Sequence, residues 1–144
     1  MMTDAMKAKL KHLVVEHEGY SKVLYSDSVG KMSIGIGYNI SDRGMTDKWI
    51  NDQYAADVDY FYTCICHDYP WFKSLDEARQ IALLDMCFMG FKKFCGFKLM
   101  LDALEREDYK TAAFELLHSN WAIQVKNRAT QLADIILTGS IEAK

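Results

Sequence analysis

Five of the eight glycines in this 144-residue chain, Gly19, Gly30, Gly35, Gly37 and Gly44, crowd into residues 19–44, and the lone proline is Pro70. Helices tolerate these residues least: glycine costs about 1 kcal/mol and proline about 3 kcal/mol relative to alanine. The remainder of the chain shows helical spacing, so the glycines confine any β structure to one early, turn-rich region. Thr3 is placed to cap a helix over residues 4–17, with Met6, Leu10, Leu13, Val14 and His17 on one stripe and Gly19 as its stop. From Val23 the period changes, and "VLY", "SDSVG" and "KMSIGIGYN" read as a β-hairpin or small sheet. Gly35 and Gly37, two apart, are expected on one side of a strand. Such a pair marks either a tight bend or a close approach of a ligand to the backbone.

After "SDRGM", Thr46 opens a long helix through about residue 66, whose stripe of Ile50, Tyr54, Val58, Phe61, Tyr62 and Ile65 is assigned to packing. Further helices follow in "SLDEARQIALLDMCFM", opened by Ser74 and closed at Gly90, then in "KLMLDALERED" and "YKTAAFELLHS". A last one spans "NWAIQVKNRATQLADIILTG", closed by Gly139, with Trp121 as a core anchor. The expected fold is α+β and mostly helical, a single domain over 1–144. A small N-terminal β-hairpin lobe at about 15–55 is joined by the long helix to a helical lobe at about 66–144, which the N-terminal helix completes.

Half of the residues are hydrophobic, a quarter are charged and the formal net charge is −3, the composition of an ordinary globular protein. The only basic patch with aromatics interleaved, Lys92, Lys93 and Lys98 among Phe91, Phe94 and Phe97, is too short for a nucleic-acid partner. No apolar run approaches the roughly 18–20 residues of a membrane span, and the N-terminus reads as an amphipathic helix, not a signal peptide. A protein kept in the cytoplasm, without stable membrane insertion, is expected. Cys64, Cys66, Cys87 and Cys95 are expected as reduced core thiols. "CICH" lacks the paired C-x2-C spacing of a structural zinc site, so no metal is expected.

Glu18 falls at a helix C-terminus, where the macrodipole disfavours a negative charge by some tenths of a kcal/mol to about 1 kcal/mol. A carboxylate there is asked for something other than helix stability. Asp27 follows after eight residues and Ser33 after five more, on a turn and a strand that fold back toward that helix end. Two carboxyl groups and a water-holding hydroxyl suit glycoside hydrolysis, which needs a proton donor to the leaving oxygen and a partner that attacks or activates water.

The string H-E-G followed by "YSDSVGKMSIGIGYN" resembles the phage-type lysozymes, glycoside hydrolase family 24, whose pattern is E, eight residues, D or C, five residues, T. The resemblance continues through "SLDEARQIALLDMCF", "FKLMLDALEREDYKTAAFELLHSNWA" and "WAIQVKNRATQLADIILTG", and so covers nearly the whole chain. It implies a lysozyme-like fold with a sugar cleft between two lobes. It further implies Glu18 as general acid, Asp27 as the group that orients or deprotonates water, and Ser33, in place of threonine, as the holder of that water. Arg128 would pair with or position Glu18, with Gln124 and Asn127 beside it. Tyr38 and Phe88 are expected among the substrate contacts too, at two departures from the family: Tyr38 stands where the family often has histidine, and "FMG" at Phe88 is a residue shorter than F-x-x-G, changes that would reshape the cleft near Phe88 and Met89.

The implied activity is an inverting endolysin that cuts the β-1,4 bond between N-acetylmuramic acid and N-acetylglucosamine of bacterial peptidoglycan. It would need no cofactor, would work as a monomer, and would wait in the host cytoplasm for a holin to open the way to the wall. The competing expectations are a non-catalytic peptidoglycan-binding homologue and a lytic transglycosylase, which would keep Glu18 but would not require Asp27 to activate water.

Overall fold

The computed structural model describes residues 1–141, which divide into two compact units, 1–53 and 54 onward, with the boundary inside a long helix. The first unit opens with helix α1, Asp4–Glu18, where the Thr3 hydroxyl accepts from the Met6 amide as expected. Gly19 ends it at φ 85°, ψ 178°, backbone that only glycine adopts at ease. None of α1 is buried: Met6, Leu10 and Leu13 each remain about half exposed. The strands β1 (Ser21–Ser26), β2 (Met32–Gly35) and β3 (Tyr38–Asn39) form one antiparallel sheet in the order β1-β2-β3. Tyr25 faces Ser33 and Ser33 faces Asn39, and a register shift between Ser21 and Tyr25 bends β1.

Gly35 and Gly37 do not share a strand face. Gly35 is the last residue of β2 and Gly37 lies in the two-residue turn that follows, both at positive φ, and the bend that the spacing left open is a hairpin turn. The single helical turn α2, Ile40–Arg43, follows, capped by the Asn39 side chain. It is fastened to the hairpin by Met32 N–H donating to Ser41 Oγ at 2.8 Å and by Lys31 Nζ on Asp42 Oδ1 at 2.9 Å.

Helix α3, Asp47–Asp68, starts where Thr46 Oγ1 accepts from the Trp49 amide. Its apolar stripe departs from the assignment to packing: only Ile65 is buried, while Ile50, Tyr54 and Tyr62 are exposed. A 3-10 helix follows at Pro70–Ser74, which uses up Ser74, so the cap of α4 (Glu77–Cys87) is Asp76 and not Ser74. Gly90 likewise does not close α4. Phe88 does, and Gly90 instead precedes the short α5, Phe91–Phe94.

Helices α6 (Lys98–Glu105) and α7 (Tyr109–Leu117) come as anticipated. The last expected helix is two, α8 (Asn120–Val125) and α9 (Asn127–Thr138), broken at Lys126, which sits at φ 50°, ψ −108°. Gly139 closes α9 in the left-handed conformation, as anticipated.

The core belongs to the second unit. Met100, Leu101, Ala103 and Leu104 of α6, with Leu132, Ala133, Ile135 and Ile136 of α9, recur at helical spacing and are buried in one cluster with Ile65, Phe72, Leu83, Met86 and Phe94. Each large side chain so placed contributes roughly 1.5–3 kcal/mol. Trp121 packs edge-on to Phe97 against this core at a centroid distance of 5.9 Å. All four cysteines are free thiols. Cys87 is fully buried, and burial, with Cys95 and Cys64 nearby, pushes its thiol up to about 12. Arg79 closes the end of α9: its Nε donates to Ile136 O at 2.6 Å and Nη2 to Leu137 O at 3.1 Å, while its guanidinium lies 3.4 Å from the Tyr109 ring.

A lysine at Lys126's dihedrals carries strain of about 1–3 kcal/mol that glycine lacks, partly offset by glycine's larger unfolded-state entropy. Lys126→Gly is expected to stabilise the chain by about 1 kcal/mol, read as a higher urea midpoint at unchanged slope.

Candidate active site

Side chains two apart on a strand share a face, and so do directly opposed residues of neighbouring strands. Tyr25, Ser33 and Asn39 therefore lie on one face of the sheet. Asp27 continues the pairing just past β1, its N–H donating to Lys31 O at 2.8 Å, so the alternation puts residue 27 on the same side. The three-residue loop 28–30 that follows is held by the Asp27 carboxylate. Oδ1 accepts from the Val29 amide at 2.9 Å and from the Lys31 amide at 2.8 Å, while Gly30 N–H donates back to Asp27 O at 3.1 Å. One carboxylate oxygen is thus bound into the turn, and Oδ2 makes no hydrogen bond among the described residues.

Ser33 is the one buried polar residue among those described, at 4% exposure. Its hydroxyl bonds to no protein group among them, yet none of their side-chain oxygens or nitrogens is both sealed from solvent and unpaired. The Ser33 oxygen is therefore not wholly sealed from solvent.

Glu18 reaches the sheet from the end of α1. A Cβ added to Gly37, which has φ 62°, would lie 2.7 Å from Glu18 Cβ, 3.0 Å from Cγ and 3.3 Å from Oε2. The acid side chain therefore lies along the bare backbone of the β2–β3 turn. The open question of what approaches these glycines has its answer within the chain: at Gly37 it is Glu18. At the backbone of the same residue, the Tyr25 hydroxyl donates to the Glu18 carbonyl at 3.3 Å.

Tyr38 is half-buried and engaged through both its hydroxyl and its ring. Its hydroxyl donates to Gly44 O at 2.6 Å, its ring packs at 4.8 Å from that of Trp49, and Arg43 lies 4.3 Å over it. In the second unit, Phe88 stacks on Tyr54 at 6.0 Å and meets Phe61 edge-on at 5.1 Å. With Tyr54, Val58, Ile81, Leu84 and Asp85 it lines a hollow of about 440 Å3. Arg128 stands on the same Asp85. Its Nε and Nη2 donate to Oδ1 at 3.0 and 2.7 Å, and Nη2 donates also to the Asp85 carbonyl at 2.9 Å. Gln124 near the end of α8 and Asn127 at the start of α9 are exposed on either side of Lys126.

Three residues of these arrangements carried no motif in the sequence: Tyr25, Gly37 as a seat for Glu18, and Asp85 as the partner of Arg128. Their only signals were a tyrosine two residues before Asp27, the second glycine of "GIG" and a lone acid within the apolar run "ALLDMC".

The phage lysozyme family matches residues 15–133 of the chain, a span that takes in Glu18, Asp27, Ser33 and Arg128. The chain belongs to the phage lysozyme family. Membership bears out the resemblance read from the motifs, and the helical architecture with its small antiparallel sheet bears out the lysozyme-like α+β fold. Among curated proteins, the chain is 34% identical over 73 residues to Probable T4-type lysozyme 1 of Dictyostelium discoideum, covering 50% of this chain and 43% of that protein. It is 24% identical to Probable T4-type lysozyme 2 of the same organism over 167 aligned positions, 95% of this chain and 98% of that protein. It is also 36% identical over 75 residues to Pre-baseplate central spike protein Gp5 of Enterobacteria phage T4, half of this chain and 13% of that protein. The chain thus spans less than half of the first and a small part of the third.

Three substitutions test these contacts in this member of the phage lysozyme family. Asp27→Asn keeps an oxygen for the Val29 and Lys31 amides and is expected to stay within about 0.5 kcal/mol of wild type in urea. Asp27→Ala leaves both amides unpaired and is expected to cost about 1–2 kcal/mol. Gly37→Ala combines a positive φ with overlap on Glu18, and is expected to cost about 2–3 kcal/mol and to shift the Glu18 side-chain NMR signals.

Proposed function

We propose that this chain is a muramidase that hydrolyses the β-1,4 bond between N-acetylmuramic acid and N-acetylglucosamine in peptidoglycan, with inversion at the anomeric carbon. What carries the reading is the shared sheet face: Asp27 and Ser33 lie on it, and Glu18 lies on the turn that closes it. Glu18 gives its proton to the glycosidic oxygen as the bond to the anomeric carbon breaks. A water held by the Ser33 hydroxyl attacks that carbon from the opposite side. Its proton passes to the Asp27 Oδ2 oxygen, the one not engaged in the turn. The products are a new reducing-end sugar and a shortened glycan.

Binding of the glycan falls to residues farther along the chain in this reading. Phe88 and the Arg128–Asp85 pair offer an aromatic edge and a fixed cation, Gln124 and Asn127 offer exposed amides, and Tyr38 supports the loop at Gly44 and Trp49. No described helix is long and apolar enough to cross a membrane. The biological setting we propose is lysis of a bacterial host, with the enzyme held as a monomer in the cytoplasm until a holin gives access to the wall.

Wild-type and Glu18→Gln proteins incubated with isolated peptidoglycan separate the readings by mass analysis of the released muropeptides. The expected result is reducing-end products from wild type and a rate lower by at least about 10²-fold in the variant, the usual contribution of a positioned general acid. Anhydro sugars from wild type would assign a transglycosylase instead, and binding without products would assign a glycan-binding homologue.

A further inference from the structure

We infer that Tyr25 is a positioning residue for Glu18, acting through the backbone of the acid and not through its carboxylate; the inference rests on the muramidase reading. A helix leaves its last four carbonyls without intrahelical partners, and they look to water, to a following turn or to a side chain. At the end of α1, Gly19 N–H satisfies Val15 O, whereas the carbonyl of Glu18 itself is taken by the Tyr25 hydroxyl. The residue that carries the acid is thereby capped by a side chain of the sheet.

The route by which Tyr25 reaches it is built into β1. Between Ser21 and Tyr25 the pairing with β2 slips, so that four steps along β1 match two along β2, from Gly35 to Ser33. The slip is braced locally, with the Ser21 hydroxyl donating to Val23 O at 2.7 Å and accepting from Val23 N–H at 3.2 Å. Irregularities of this kind bend a strand and re-aim its side chains, and they gather beside active sites. Here the bend precedes the residue whose hydroxyl turns back seven positions to the acid.

Tyr25 also faces Ser33 across the strands, and Gly37 closes the turn at the far end of β2. The Glu18 backbone is therefore tied to the residue opposite Ser33, and its side chain lies along the turn that follows Ser33. Both ends of the reaction, proton donor and water holder, take their placement from the same pair of strands. Loss of the Tyr25 hydroxyl frees the Cα–Cβ direction of Glu18 while removing none of the groups that meet substrate.

A misplaced general acid slows departure of a poor leaving group far more than of a good one, because a phenolate needs little protonation. The test is Tyr25→Phe, which keeps the ring and removes one hydrogen bond. It is assayed on peptidoglycan and on a chito-oligosaccharide bearing a 2,4-dinitrophenyl leaving group, with thermal unfolding alongside. Expected are a fall in kcat of about tenfold on peptidoglycan at KM within about twofold, and a change under about twofold on the aryl glycoside. Unchanged kcat on peptidoglycan, or an equal loss on both substrates, overturns the positioning role while the muramidase reading stands. If the wild-type chain turns over peptidoglycan but not the aryl glycoside, the kcat-against-KM split on peptidoglycan decides in its place. No reducing-end product from wild type overturns both.

Discussion

The Glu18 side chain lies directly on the backbone of Gly37, with its Cβ 2.7 Å from where any other residue would place its own. This contact joins the end of α1 to the β2–β3 turn, and with the Tyr25 hydroxyl on the Glu18 carbonyl it holds the residue by both side chain and backbone. It tolerates no substituent at position 37. A helix end is otherwise a poor place for a negative charge, since the dipole opposes it. The sheet supplies the steric reason that the carboxylate stands there: nothing but a hydrogen occupies the ground beside it.

The two carboxylates differ in what they do for the fold. Asp27 is part of the turn, one oxygen committed to two amide donors, so the hairpin forms and the carboxylate is oriented in the same step. Glu18 contributes no such bond and depends on the sheet to be placed. The Lys31–Asp42 pair, with Met32 on Ser41, ties the short helix after the sheet to the hairpin, and the lysine hydrogen bond holds the Asp42 carboxyl below the usual carboxylate range. As an exposed pair it gives direction to the chain and adds little to stability.

The second unit is organised by a different rule. Its stability comes from an apolar core on which α4, α6, α7 and α9 converge, and two of its arginines, Arg79 and Arg128, act as ties between helices. Arg79 reaches from the start of α4 to the last carbonyls of α9, where a cation is favoured by the dipole. Arg128 reaches from the start of α9 to Asp85 near the end of α4, and its guanidinium is fixed by three hydrogen bonds. These ties cross 57 and 43 residues of sequence respectively, and each leaves a charged group in a defined direction.

Where a feature is decided by neighbours in sequence, the sequence alone determined it. Thr3 capping α1, Gly19 and Gly139 ending helices, the change of period at Val23 and the Glu18, Asp27 and Ser33 spacing all follow from local sterics, hydrogen bonds or motif order. Other features needed the folded chain. Ser74 and Asp76 are both good caps, and the 3-10 turn after Pro70 settled which one serves. Nothing in the letter at 126 announced a break, because lysine has no preference for the positive φ that the packing of α8 and α9 imposes. The stripe of α3 read as core from its spacing, but spacing shows which side chains share a face and not whether anything covers it. That Gly37 seats Glu18, that Tyr25 caps it and that Arg128 stands on Asp85 are contacts between distant segments. Only tertiary structure could decide them, because each depends on the relative placement of elements that local sequence does not encode.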